Sequence, residues 1–363
     1  MYDFAVVGVG PPGARFARRA AELGYDVIAF EQGEIGKPLA CSGHVSLDIW
    51  EYVPEGAREE LFQNEIFGAR FHTGGADSDA YEFYKETPVS NAVDRVQLDK
   101  TLAGAASDAG ADVRDGHTVT GVEERTDGVT LTVRGPDGEF DVEAKMVAGC
   151  DGPRSRVRSE LGLPDPEEFL HGVLAFDPEP DDQDFVDVHL TVPGFFAWRI
   201  PRGPGGVEYG LAAAPSADGD VAERFDALVE EYGVADRIEH RCSGLIPIGP
   251  PSSVTSHRGF LVGDAGGMTK PFTGGGILYG MTAADCAART IDPDAPETLA
   301  EYESAWRDEL ETEIKLGKLI RKGYDAPELV QRAGMKLFEG EIGVHMDKPT
   351  SVFSVEQVKS MLR

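Results

Sequence analysis

Long apolar runs, a basic surface and paired cysteines are what this 363-residue sequence lacks. No eighteen consecutive apolar residues occur, so no transmembrane helix is expected. Lys plus Arg number 34 against 64 Asp plus Glu, a net charge of −30, and lysine is scarce beside arginine. Nucleic-acid binding needs a basic footprint, so that class is excluded. The acid is spread along the chain and 41% of residues are hydrophobic, which argues against a disordered acidic protein. A halophilic surface accounts for such charge, because at ~1 M salt the screening length is only about 3 Å and self-repulsion is damped. Cys41, Cys150, Cys242 and Cys286 show no paired ligand spacing, so no metal is expected, and they suit a reducing cytoplasm. The chain starts on a strand-like run, from which no signal peptide is expected. Internal repeats and low-complexity linkers are also absent. The length is enough for a large core in two closely packed domains.

What the chain does have is three glycine-centred segments far apart. The first follows the β-rich run Tyr2 to Val7 and contains Gly8, Gly10, Pro12 and Gly13, then a helical pattern from Ala14 to Gly24. Gly8 allows a tight turn, Gly10 lets a phosphate approach the backbone, and Gly13 permits close helix–strand packing. An anion is favoured at the helix N-terminus by its N–H groups and dipole. Asp26 to Phe30 is the next strand and ends in Glu31-Gln32, where the carboxylate can accept from ribose hydroxyls. The second segment runs from Asp151 to Arg158, after the strand-like Ala144 to Ala148, and its Ser155 equally suits a helix cap. In the third, Gly259 to Val262 reads as a buried strand ending at Gly263-Asp264, whose carboxylate can accept from a ribityl hydroxyl. Pro271 and Phe272 precede Gly274-Gly275-Gly276, which opens an apolar helix at Ile277 running to about Ala288. Its N-terminus would stabilise negative charge on a reduced flavin. In this order the segments read as three places where one chain wraps one FAD.

Together with two further motifs, the segments resemble the FAD-dependent aromatic-hydroxylase-type superfamily and, within it, the geranylgeranyl reductases, including the archaeal digeranylgeranylglycerophospholipid reductases. One motif is the stretch Pro38 to His44, which contains Cys41 and Gly43. The other is Phe196-Ala197-Trp198-Arg199-Ile200-Pro201-Arg202, then Tyr209-Gly210. It departs from the family pattern, with Phe for Tyr, Ile for Phe and Arg for Lys. The resemblance covers Tyr2 to about Arg289. It implies that Arg95, in the pattern Arg95-Val96-Gln97-Leu98-Asp99 ahead of a helix near Leu98, contacts the cofactor. It also implies that Asp151 lies near the cofactor and that Cys41 and His44 line the flavin edge.

The fold expected is α/β. A Rossmann-like FAD domain takes 1–60, 90–165 and 255–295, and an interleaved, mainly antiparallel β-sheet substrate domain takes 61–89 and 166–254. A C-terminal helical tail takes 296–363, with periodicity fading after Lys322. The activity implied is saturation of isoprenoid C=C bonds in geranylgeranyl ether lipids. The flavin supplies the hydride, and an electron donor, ferredoxin or a reduced nicotinamide, recharges it. Cys41, Trp198 and Phe272 are the catalytic candidates. Phe196, Trp198, Pro201 and His44 are the substrate candidates, and Phe195 reads better as core packing. Cys41 and His44 are both open as proton donor. The enzyme is expected in the cytoplasm, with peripheral contact at the membrane face. A flavin monooxygenase and a non-enzymatic flavoprotein remain the alternatives, because fold alone does not fix function.

Overall fold

The structure is a computed structural model that describes every residue except 40, 216, 218, 341–344 and 354–363. Ala40 of the Pro38-to-His44 stretch and parts of the expected C-terminal tail thus lie outside the described residues. The chain forms a mixed α/β fold with two large sheets and one small one.

The first large sheet has a parallel part, with strands in the order Asp112–Arg114, Val27–Phe30, Tyr2–Val7, Gly138–Gly149 and Gly259–Leu261. The long strand Gly138–Gly149 serves two purposes. Its second half pairs in parallel with Tyr2–Val7, and its first half closes an antiparallel meander with Val129–Gly135 and Thr118–Glu124. Strand Gly259–Leu261 joins the same sheet more than a hundred residues later, so the N-terminal unit is discontinuous in sequence. Helices Pro11–Glu22, Arg95–Asp108 and Ile277–Thr290 cover it, and their buried residues form one core with Phe4, Phe16 and Phe260.

The second large sheet is antiparallel apart from one pair. Its order is Glu239–Ile248, Glu168–Asp177, Val207–Ala213, Ala197–Pro201, Phe185–His189, Gly68–His72 and Ala80–Tyr84. Strand alternation gives this sheet two unlike faces. Val186, Val188, Trp198 and Ile200 point to one side, where a large cavity lies. Asp187 and Arg199 point to the other, where Arg199 pairs with Asp187 at 3.3 Å and His72 reaches Asp187 at 3.2 Å. That face is internally ion-paired.

A third, three-stranded sheet was not anticipated from the sequence. Strand Ser90–Val93 pairs with both His44–Ser46 and Phe62–Ile66. It carries the end of the Pro38-to-His44 loop between the two large sheets. The C-terminal region is helical as expected, from Leu299–Arg321. A further helix, Glu328–Phe338, follows where the sequence periodicity had faded.

Candidate functional site

One cavity of about 660 Å³ connects the dinucleotide-type loop to the second sheet. At one end lie Gly10, Pro12, Arg95 and Asp264. At the other lie Trp198, Ile200, Val186 and Phe71. Cys41, His44, Phe272, Gly274, Gly275, Gly276 and Ile277 border the space between.

The first glycine segment is shaped by close approach. Gly8 has φ +91, and a Cβ there would run into the backbone of Cys150, while a Cβ on Gly13 would run into the carbonyl of Gly8. Gly10 has open space where a Cβ would stand, so the backbone is exposed there to a ligand. Gly10 caps the helix without a side-chain bond, and Pro11 and Pro12 occupy its first positions. Neither proline has an N–H, so Gly13 is the first helical residue able to donate. Glu31 holds the loop: its carboxylate accepts from the Val9 amide at 2.8 Å and from the Gln32 amide at 3.0 Å.

The third segment packs directly on the first. A Cβ on Gly263 would meet Pro12 at 2.7 Å, and one on Gly280 would meet the same ring. Asp264 follows, and Gly276 has no room for a Cβ because it lies against the Asp264 carboxylate. Among the described residues, nothing hydrogen-bonds that carboxylate. Burial pushes it up to about 6, against the pull of Arg95. Arg95 is buried and bonds Asp99 at 2.8 and 3.1 Å, yet its Nε has no partner. The Thr273 hydroxyl beside the glycine run is also buried without a partner. An open glycine cradle, a bare carboxylate, an orphaned guanidinium nitrogen and an uncapped helix N-terminus at Gly276 fit FAD. The loop 9–13, Glu31, Arg95, Asp264 and residues 274–277 would hold it.

Three expected positions fall outside this arrangement. The Asp151 carboxylate is spent on capping: it accepts from the Ser155 hydroxyl at 2.5 Å and from the amides of Arg156 and Val157 at 2.7 and 3.1 Å. Ser155 in turn caps helix Arg156–Glu160 through the Arg158 amide. Of this stretch, Cys150 and Gly152 border the cavity instead. The Gln32 side chain is exposed, and the segment contributes its amide to Glu31. Pro201 is buried at a strand end, where its carbonyl accepts from Asn64, and Ile200 is its neighbour on the cavity side.

Trp198 has a specific seat. It stands opposite Gly210 in the ladder, and its indole lies where a Gly210 side chain would be. Its Nε1 donates to Glu208 at 2.9 Å. Glu208 is fully buried and pairs with Arg202 at 2.9 Å, and Arg202 donates onward to the carbonyl of Val93. The spacing from Trp198 to Arg202 and Gly210 is thus one hydrogen-bonded unit. Phe196 packs edge-on to Trp198, and Phe195, fully buried, stacks behind it.

In the Pro38-to-His44 stretch, burial pushes the Cys41 thiol up, against the pull of Arg95, so it keeps its proton. His44 is pushed down to about 3 by burial and by the cations Lys270 and Arg202, against the pull of Asp347. It is a neutral imidazole at working pH, bonded through Nε2 to the Ser90 hydroxyl at 2.7 Å. Sequence reasoning missed Lys270 and Asp347, a buried pair 2.6 Å apart. Lys270 borders the cavity beside Gly275, and Asp347 arrives from the C-terminal segment. No local signal joins residues so far apart. Gly280, at helical spacing from Gly276, was the one missed position that a small-residue pattern could have shown.

Asp264 gives a test that needs no catalysis. Its folded value lies above the ordinary carboxyl value of 3.8. The folded apoprotein therefore keeps a proton that the unfolded chain has lost between about pH 4 and pH 6. Apoprotein stability should fall as pH rises through that window, by on the order of 3 kcal/mol. Asp264→Asn should remove this part of the fall in denaturant titrations at each pH, and an unchanged pH dependence would contradict the placement. Asp264→Ala and Glu31→Ala should each weaken FAD binding roughly 10- to 150-fold, as loss of a charge-assisted hydrogen bond does.

Residues 1–187 match the family described as FAD binding domain. Digeranylgeranylglycerophospholipid reductase 2 of Methanothermobacter thermautotrophicus is 30% identical over an alignment of 397 positions, covering 100% of this chain and 98% of that protein. Digeranylgeranylglycerophospholipid reductase of Methanosarcina acetivorans is 28% identical, covering 88% of this chain and 84% of that one. The crystal structure of a geranylgeranyl bacteriochlorophyll reductase-like protein from Thermoplasma acidophilum superposes with a TM-score of 0.84 at 24% identity, covering 99% and 95% of the two chains. A p-nitrophenol 4-monooxygenase from Pseudomonas putida shares the fold at a TM-score of 0.75 and 18% identity, covering 100% and 96%. The FAD cradle, the cysteine loop and the Trp198 unit thus occur in a chain that belongs to the FAD-binding digeranylgeranylglycerophospholipid reductase family.

Proposed function

We propose that the protein saturates isoprenoid C=C bonds of digeranylgeranylglycerophospholipid-type lipids. The observation that carries this is one continuous cavity, with FAD-type polar groups at one end and an apolar wall of Val186, Val188, Phe196, Trp198 and Ile200 at the other. A long aliphatic chain suits such a wall, and a charged substrate would be stranded against it. When bound, FAD supplies a hydride from N5.

The protein's own tasks are to hold the alkene, keep the site dry and supply a proton. An isolated alkene has no carbonyl to spread charge, so the proton must be delivered to the second carbon. Cys41 is suited to this, because burial keeps its thiol protonated and Arg95 stands near to steady the thiolate left behind. His44 is not a cationic acid here, and its bond to Ser90 makes it a positioning group for the loop. Trp198 and Phe272 frame the alkene between the sheet and the glycine turn. Lys270, held by Asp347, places positive charge beside Gly275, where reduced flavin would carry negative charge.

The reading includes a cytoplasmic setting at high salt. With a net charge of −30, the melting temperature should rise on going from dilute buffer to molar KCl, and a flat or falling trend would remove that element. The function itself is tested by reducing the FAD-loaded protein without oxygen and adding unsaturated geranylgeranyl lipid. Return of the oxidised flavin absorbance supports it. Reoxidation by oxygen alone, with hydroxylated product, would indicate a monooxygenase.

A further inference from the structure

Helix Glu328–Phe338 turns its apolar stripe toward solvent. Leu329 is 80% exposed, Leu337 74%, Val330 58% and Phe338 46%, in a chain whose large hydrophobic residues are otherwise mostly buried. At 3.6 residues per turn, Leu329, Val330, Ala333 and Leu337 share one arc of about 100°. A surface helix ordinarily buries such a stripe. Here the inward side is made by other residues. Gln331 donates to the carbonyl of Tyr324 at 2.7 Å, and Met335 borders the catalytic cavity.

The exposed stripe is continuous with the rim of that cavity. The chain leaving the helix bridges at Gly340 to the strand Ala80–Tyr84, with the Tyr84 amide donating to the Gly340 carbonyl at 3.1 Å. Phe83 and Tyr84 both border the cavity, and Tyr84 is 38% exposed. The helix therefore stands where the apolar cavity meets solvent.

We infer that helix Glu328–Phe338 docks on a lipid bilayer surface and sets the cavity rim against the membrane. The inference rests on the lipid-reductase reading of the cavity. Two observations favour a bilayer over a second copy of the chain. Four side chains on one short helix offer on the order of 400 Å² of apolar surface, so two copies meeting through it would bury about 800 Å² in total, under the roughly 1,000 Å² that a stable protein interface needs. A bilayer interface accepts an amphipathic helix of this size. The attraction is apolar, not ionic. Arg332 pairs with Glu328 and Asp79, and Lys336 pairs with Glu339, so neither cation is unpaired for anionic headgroups. The net charge of −30 opposes approach to an anionic surface, and salt screens that repulsion.

The test is flotation of the full-length, FAD-loaded protein with substrate-free phosphatidylcholine vesicles. The wild type is expected to float with the vesicles, and with anionic vesicles to float better in molar salt than in dilute buffer. The variant L329Q/L337Q changes two exposed side chains, so its flavin spectrum and melting should match the wild type. Its partition onto vesicles should be at least roughly tenfold weaker. Its rate on vesicle-embedded lipid should fall in proportion, while the rate on detergent-dispersed lipid stays the same. Equal flotation of the two proteins would overturn the inference. So would a wild-type dimer that the variant splits into monomers, which would make the stripe a self-interface. Should neither protein reduce any lipid, selective loss of flotation in the variant would still support docking and would count only against the lipid-reductase reading.

Discussion

Cys41→Ala is expected to lower the rate of alkene reduction by roughly 10²- to 10⁴-fold, the usual contribution of a positioned proton donor. FAD binding should persist, because the groups that fit the cofactor lie at loop 9–13, Arg95 and Asp264. The thiol is small, and besides its contact with the Arg95 side chain it donates to its neighbour's carbonyl at 3.4 Å, so the substitution removes little packing. The effect should therefore appear in single-turnover reoxidation of reduced flavin by lipid, with the flavin spectrum unchanged. Cys41→Ser keeps a proton on oxygen and should recover part of the rate. A solvent deuterium effect present in the wild type and altered in Cys41→Ser would tie the residue to proton transfer. Wild-type turnover in Cys41→Ala would move the acid elsewhere, and Lys270, buried at the same cavity, is the next group to test.

Trp198→Ala should slow the same step about 100-fold, since a misplacement of ~1 Å at the reacting carbon costs that much. Its ring lies on Gly210 and faces the apolar wall, so truncation opens space beside the alkene. It also removes the Nε1 bond to Glu208, which keeps its pairing with Arg202. Stability should drop by about 3–5 kcal/mol, as truncation of a well-packed Trp does. Trp198→Phe separates these effects. It keeps an apolar ring, loses the hydrogen bond, and should recover most of the rate but less of the stability. The flavin absorbance of both variants reports whether the cofactor end is intact. If Trp198→Ala reduces lipid at the wild-type rate, the residue is packing only and the channel assignment fails.

The parts of this site that were legible in the sequence are those set by local geometry. Gly8 and Gly13 announce a turn that leaves no room for a Cβ, and Glu31 closes the strand beside them. Asp264 stands at a strand end where α/β sheets bind ligands. Asp151 was implied to lie near the cofactor, but its motif is equally a capping motif, and both of its oxygens are committed to the helix start. Pro201 was named a substrate candidate because it lies within a recognised motif, but strand alternation gives the cavity to Ile200. The Lys270–Asp347 pair was invisible because tertiary packing alone brings the partners together, and the Arg202–Glu208 pair because the motif does not state the register of the hairpin that joins them. Helix Glu328–Phe338 falls within the expected C-terminal helical tail, and what the sequence did not show is that its stripe of Leu329, Val330, Ala333 and Leu337 faces solvent.

The most direct test of the central claim is the mass of the product. Fully unsaturated digeranylgeranylglycerophospholipid should be incubated without oxygen with the chemically reduced, FAD-loaded protein in molar KCl, then analysed by mass spectrometry. The account expects lipid heavier by two hydrogens for each double bond saturated, with one flavin reoxidised per bond. Lipid of unchanged mass beside an active, FAD-loaded protein, or a product heavier by one oxygen once air is admitted, would contradict it.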